Sequence, residues 1–368
     1  MINFLNAFGN QIVSIFIPLI VFELSGTTEW VGIITFLSAT ATLVSLFIFG
    51  RLADKFGLKK FIHTGLLLSA ITVLFQILAL PSFLNNLYIL IFTRTLFSFC
   101  IGIFPPALTA YAYEKSHRIG HFAGMASLGF GIGSLVAGYI TNDMMIFILG
   151  SVIYLCSLFL SCQIVFPFRV KLKIPWFPKR LIKENIHIYL PILLRHTGAT
   201  AIWTFYVVYL ALFGLSKFEI GILYLLNAGL QYFIMAALDD FDNRKLLSGG
   251  LLLSAFVFFA FTFGKTFIHF MPMQILLAFS FSLLYVGSLK ELVEKNVEHA
   301  TVSGLLSSTM YLSYILGSTI GTLISSVAYA QTNNLILSYQ YVMYFAAIMT
   351  LAGFVISLKK NNKVIRRF

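Results

Sequence analysis

The sequence predicts an all-α integral membrane protein: twelve transmembrane helices in two six-helix bundles related by pseudo-symmetry. Three observations predict it. Hydrophobic residues make up 59% of the 368 residues and charged residues 10%, with a mean hydropathy of +0.92; this is too little polar surface to coat a water-soluble globule. The apolar residues form roughly twelve runs of about the 20 residues that cross a hydrocarbon core about 30 Å thick. Lys and Arg collect at every second junction between the runs, as the positive-inside rule requires of a chain threaded repeatedly through a bilayer.

The runs fall near residues 2–24, 30–50, 62–80, 87–111, 122–141, 144–165, 187–213, 219–238, 246–264, 270–289, 303–328 and 341–358. Uninterrupted runs of this length exclude the short alternating strands of a barrel, so each span pairs its backbone within a helix. Alternate junctions hold Arg51, Lys55, Lys59 and Lys60, then Lys115 and Arg118, then the cations of 169–183, then Arg244, Lys245, Lys290, Lys295 and a basic tail. The opposite side holds only Lys217 and Lys265. The first set is therefore expected in the cytoplasm with both termini, in a multi-pass protein of the plasma membrane. The net charge of +12 follows from topology and anionic headgroups and needs no nucleic-acid partner.

Residues 166–185, FPFRVKLKIPWFPKRLIKEN, form the longest polar connection. They divide a bundle at 1–165 from one at 186–358, which a basic tail follows at 359–368. An internal repeat crosses the divide: EKSHRIGHFAG from Glu114 matches EKNVEHATVSG from Glu294, and LADKFGLKK matches LDDFDNRK with Asp54 set on Asp239. Both matches keep the chain direction, as in a parallel repeat about an axis along the membrane normal.

These residues carry a family resemblance. GRLADKFGLKK, Gly50 to Lys60, resembles the loop between the second and third helices of major facilitator superfamily transporters. RTLFSFCIGIFPPALTAYAYEK from Arg94 resembles that family's fourth helix. ASLGFGIGSLVAGYI resembles its glycine-rich fifth helix, with Ser134 where exporters of the family often have proline. The resemblance covers the whole chain. It implies that Gly50 and Asp54 meet the eleventh helix and steady an outward-facing state, with Lys55, Lys59 and Glu114 as the accompanying charge network and Leu58 in the family's usual arginine position. The second copy, Asp239, Asp240, Asp242, Arg244 and Lys245, lacks the glycine and reads as charge that sets topology.

Arg94 and Arg195 lie about 11 and 12 Å inside their nearer span boundaries, where a cation is costly unless it faces partners or water. Asn3, Asn6, Asn10 and Ser14 share a stripe of the first span beside Gln11, and Tyr224, Asn227 and Gln231 share one on the eighth. Asn10, Gln11, Arg94, Arg195, Asn227 and Gln231 are the candidate solute-binding residues, and interhelical bracing is the competing role for each. No carboxylate is placed centrally, so the cavity is expected to be electropositive and its solute anionic. His196 and Glu23 are the candidate proton-coupling groups.

The remaining features exclude other classes. His117 and His121 sit in a cytoplasmic turn without further ligands, no metal or cofactor is expected, and the glycine run lacks the GxxxxGK[ST] of a nucleotide loop. The spans hold neither a Ser with a paired His and Asp nor a metal-ligand cluster, so the chain is not expected to be an enzyme. The sequence predicts a secondary-active transporter of a small organic solute by alternating access, in the export direction, with protons as a candidate coupling ion. Multidrug or amphiphile efflux and a non-transporting receptor on the same architecture are the alternatives.

Overall fold

The computed structural model describes residues 1–15, 17, 20–21, 24, 29–140, 142–165 and 177–358. Glu23, most of the central connection and the basic tail lie outside them. The described chain is almost wholly helical: α1 (Ile2–Ile15), α2 (Glu29–Phe56), α3 (Leu58–Phe75), α4 (Leu87–Ile101), α5 (Pro105–Ser116), α6 (Ile119–Tyr139) and α7 (Asp143–Cys162), then α8 (Lys179–Glu184), α9 (Ile186–Leu212), α10 (Lys217–Ala237), α11 (Asn243–Ala260), α12 (Phe267–Lys295), α13 (His299–Thr332) and α14 (Leu335–Leu358). Ten helical segments among the described residues are long and apolar enough to cross a membrane. The first span, helical over Ile2–Ile15 and at residues 17, 20, 21 and 24, and the 27-residue α9 bring the number to twelve.

Local chemistry sets the helix ends. Asn86 caps α4, accepting from the amides of Tyr88 and Ile89, and Asn142 caps α7 through Met144 and Met145, each supplying a partner for otherwise orphaned N–H groups. Gly57, at φ 102°, makes the turn from α2 into α3 in a conformation most residues avoid. The fourth span, expected as one helix, breaks between Ile101 and Pro105. Pro105 and Pro106 have no N–H to continue the ladder, and they occupy the first turn of α5, where none is needed.

By contact the chain forms two compact units: Met1–Trp176 with Ala228–Asp239 and Val293–Tyr311, and Phe177–Asn227 with Asp240–Leu292 and Leu312–Phe368. In the first, α1 packs on α6 and α7, α2 on α4, and α3 on α7. In the second, α14 packs on α9 and α11. The α1–α6 contact uses the glycine run: a Cβ at Gly129 would strike the Phe4 carbonyl, and one at Gly133 would lie 2.9 Å from the Phe8 carbonyl. Backbone cannot yield as a side-chain tip can, so Gly129→Ala is expected to cost about 1–3 kcal/mol and lower the thermal midpoint of the purified protein. Gly221→Ala, in α10 with nothing within 4 Å of the added carbon, should leave it unchanged.

Candidate functional site

In the second unit, α9 presents Arg195 and His196. Arg195 is 2% exposed; its Nε donates to Ser254 Oγ at 3.1 Å and its Nη1 to His196 Nδ1 at 3.4 Å. A guanidinium offers only donors, so Nδ1 accepts, which places the imidazole proton on Nε2 and leaves the ring uncharged. The guanidinium also sits over the rings of Phe258 and Phe281, 5.1 and 5.5 Å from their centroids, contacts worth about 0.5–2 kcal/mol each. No carboxylate pairs with Arg195 among the described residues. Its charge is stabilised by a hydroxyl and ring faces, with no counter-ion among the described residues.

An aromatic wall continues from it. Phe281 stacks on Tyr285 at 5.5 Å, Trp203 meets Tyr206 edge-on at 5.2 Å, and Tyr206 lies 6.4 Å from Tyr224. Gln274 Nε2 donates to Tyr206 Oη at 2.8 Å, and Asn227 Nδ2 to the Gln274 carbonyl at 3.1 Å. Tyr224 and Tyr314 are exposed, and His196 and Tyr285 are half-buried.

In the first unit Arg94, 9% exposed, donates from Nη2 to Ser14 Oγ at 2.9 Å, and Ser14 in turn donates to Asn10 Oδ1 at 3.3 Å. The guanidinium lies 5.2 Å from the Phe97 ring, which meets Tyr154 edge-on. Arg94 Nη1, the Tyr154 hydroxyl and both amide atoms of Asn6 are buried without a hydrogen-bond partner among the described residues. Gln11 donates to Ser134 Oγ at 3.0 Å, bracing α1 on α6 at the position where the family's exporters often have proline, and Gln231 accepts from Ser127 Oγ at 3.0 Å, bracing α10 on α6. Asn10 and Arg94 are therefore joined through Ser14, and Arg195 joins His196. Gln11, Asn227 and Gln231 each bond a neighbouring helix.

A third set of contacts belongs wholly to the first unit. Asp54, 1% exposed, accepts from Ala300 N at 3.2 Å, Thr301 N at 2.6 Å and Thr301 Oγ1 at 2.6 Å. Its carboxylate faces the positive pole at the start of α13. Gly50 permits that approach, since a Cβ there would lie 2.7 Å from the Ala300 carbonyl. The charge network expected of Lys55, Lys59 and Glu114 takes another form. Glu114 Oε1 accepts from His299 Nδ1 at 3.1 Å, Lys55 lies over the Phe56 ring, and Lys59 is exposed.

The second copy does more than set topology. Asp239 accepts from Gly120 N at 2.7 Å and His121 N at 3.3 Å, seated at the start of α6 as Asp54 is at the start of α13. The missing glycine stands on the partner helix: a Cβ at Gly120 would strike the Met235 carbonyl, and one at Gly124 would lie 2.8 Å from the Tyr232 carbonyl. Glu291 also departs from the sequence reading. It lies inside α12 at 2% exposed, 3.5 Å from His187 Nε2, because α12 runs on to Lys295.

The sequence profile described as the Major Facilitator Superfamily matches residues 1–183 and 188–367. The chain belongs to the major facilitator superfamily. It is accordingly a multi-pass membrane transporter of the superfamily's twelve-helix fold and not an enzyme. Solved superfamily structures share that fold: the E. coli fucose:proton symporter FucP aligns with a TM-score of 0.73 at 14% identity, over 96% of this chain and 95% of that one. FucP in its outward conformation gives 0.72 at 15%, over 97% and 96%. The human organic anion transporter MFSD10 (TETRAN) gives 0.72 at 13%, over 97% and 98%. No curated protein sequence matches the chain.

Proposed function

We propose that this superfamily member is a secondary-active exporter of a small organic anion, working by alternating access of two six-helix halves, 1–165 and 186–358, with both termini in the cytoplasm of a cell whose plasma membrane it spans. The observation that carries the reading is the treatment of its two buried guanidiniums. Arg94 and Arg195 contact serine hydroxyls and aromatic faces and, among the described residues, no carboxylate, and a cation held in that way at bilayer depth attracts an anionic group. Trp203, Tyr206, Tyr224 and Tyr285 give the organic body of the solute ring faces to pack on. MFSD10, a structural neighbour named as an organic anion transporter, is compatible with this class.

Export is supported by the likeness of Gly50–Lys60 and of the α6 glycine run to the corresponding elements of exporters. The aspartate caps supply the gate: Asp54 on α13 and Asp239 on α6 hold helix ends on the predicted cytoplasmic side, and access from that side requires both to release.

One observation favours a second reading, proton-driven uptake. A proton added at His196 Nδ1 would break the bond from Arg195 and set two cations side by side. An anion bound there offsets the added charge, so proton and solute bind cooperatively and travel together. FucP, whose name records a proton symporter, is a precedent for that coupling on this fold.

Purified protein in proteoliposomes, given radiolabelled organic anions and cations with imposed proton gradients of either sign, tests these readings. The account predicts anion flux at least tenfold above cation flux. Selective cation flux would overturn it. The sign of the proton gradient that accelerates anion movement decides between export and co-transport, and His196→Gln should abolish that dependence if the imidazole carries the proton.

A further inference from the structure

Along the outer face of the second unit, α11 and α14 enclose an apolar groove of about 790 Å³ lined by Gly249, Leu252, Phe256 and Phe259 on one helix and by Tyr344, Ile348 and neighbours on the other. Leu252, Phe256, Phe259 and Ile348 are 45–66% exposed, and a Cβ at Gly249 would meet nothing within 4 Å. In a membrane-spanning chain such a face meets lipid.

Two features narrow the occupant. From Gly249 to Phe259 the groove runs ten residues, about 15 Å at 1.5 Å per residue, half of a hydrocarbon core about 30 Å thick. It therefore matches one leaflet and one acyl chain. Lys245, exposed, precedes Gly249 by four residues on the same stripe as Leu252, Phe256 and Phe259, so a cation marks the end where a headgroup would lie.

We propose that this groove is a binding site for one anionic phospholipid, its acyl chain lying along Gly249–Phe259 and its phosphate at Lys245. The lining of the groove includes neither Arg195 nor the rings over it, and by the positive-inside rule it faces the cytoplasmic leaflet, where anionic lipids concentrate.

Native mass spectrometry of the full chain, released from nanodiscs of equal parts phosphatidylglycerol and phosphatidylcholine, reads it directly. The expected result is one retained phosphatidylglycerol favoured about fivefold, the equivalent of the roughly 1 kcal/mol contributed by one lysine at a membrane surface. Lys245→Gln should remove the preference. Gly249→Leu and, from the opposite wall, Ile348→Trp should each reduce retention of both lipids, with thermal midpoints confirming that the variants fold. Equal retention of the two lipids by the wild type, or retention unchanged in both groove variants, would overturn the proposal. So would near-complete disulfide cross-linking of an Ile348→Cys variant in the nanodisc, which would make a second copy the occupant.

Discussion

Replacing Asp54 with Asn is expected to slow transport about thirtyfold while leaving the protein folded in the membrane. The carboxylate accepts three hydrogen bonds from Ala300 and Thr301 at the start of α13. Asn keeps the shape but loses the charge and one acceptor, a change of about 2 kcal/mol in a buried cap. A transporter cycling between two states loses occupancy of the capped state by the corresponding factor. Asp239→Asn should act in the same direction by about fivefold, because that cap makes two bonds and is half-exposed. The two caps use different residues, so the double variant should approach the product of the single effects. Initial rates in proteoliposomes, normalised to protein inserted, check this; a full rate in Asp54→Asn would remove the cap from the gate.

Arg195→Gln is expected to lower anion flux at least a hundredfold. A charge-assisted bidentate contact to an anionic group is worth about 3 kcal/mol in a dry site. Arg195→Lys should recover part of the flux, since an ammonium supplies charge without the planar fork. Arg94→Gln should lower anion flux as well, at least tenfold, and should also release Ser14 and loosen α1. Solute titration separates site from scaffold. Loss at Arg195 should appear as a raised KM with anion selectivity abolished, whereas a purely structural role would reduce the amount of active protein and leave selectivity intact.

How much of this was legible in the sequence depended on which force set each feature. The spans were legible because lipid imposes one length and one composition on every crossing, and α3, α7, α9 and α11 start within four residues of their expected positions. The interruption at 102–104 was less visible, since Pro105 can kink a helix or start one. The extension of α12 to Lys295 was hidden by its charges: Lys290 and Glu291 read as a connection, yet both are buried, with Lys290 Nζ on the Phe241 carbonyl at 3.3 Å and Glu291 facing His187. The seat of Asp54 on α13 was implied by family resemblance and not by periodicity. Asp239 has no glycine on its own helix to mark the contact, because the close approach is made by Gly120 and Gly124 of α6. The repeat itself held the signal, since Gly124 aligns with Gly304, which also sits in a close helix contact, a Cβ there lying 2.7 Å from the Leu46 carbonyl. His299 lies within the repeat segment from Glu294, where the match sets it on Ile119 and does not single it out; its pairing with Glu114 arises from tertiary packing.

In the proposed cycle one solute site, reached alternately from either face, is controlled by the two aspartate caps. Labelling measures it most directly: a single cysteine at Asn227, in a chain with Cys100, Cys156 and Cys162 replaced by serine, exposed to a membrane-impermeant maleimide in right-side-out and inside-out vesicles. The account predicts labelling from both faces, with Asp54→Asn plus Asp239→Asn raising the rate from the cytoplasmic face at least tenfold and lowering it from the other. Labelling from one face only, unchanged by loss of both caps, would contradict it.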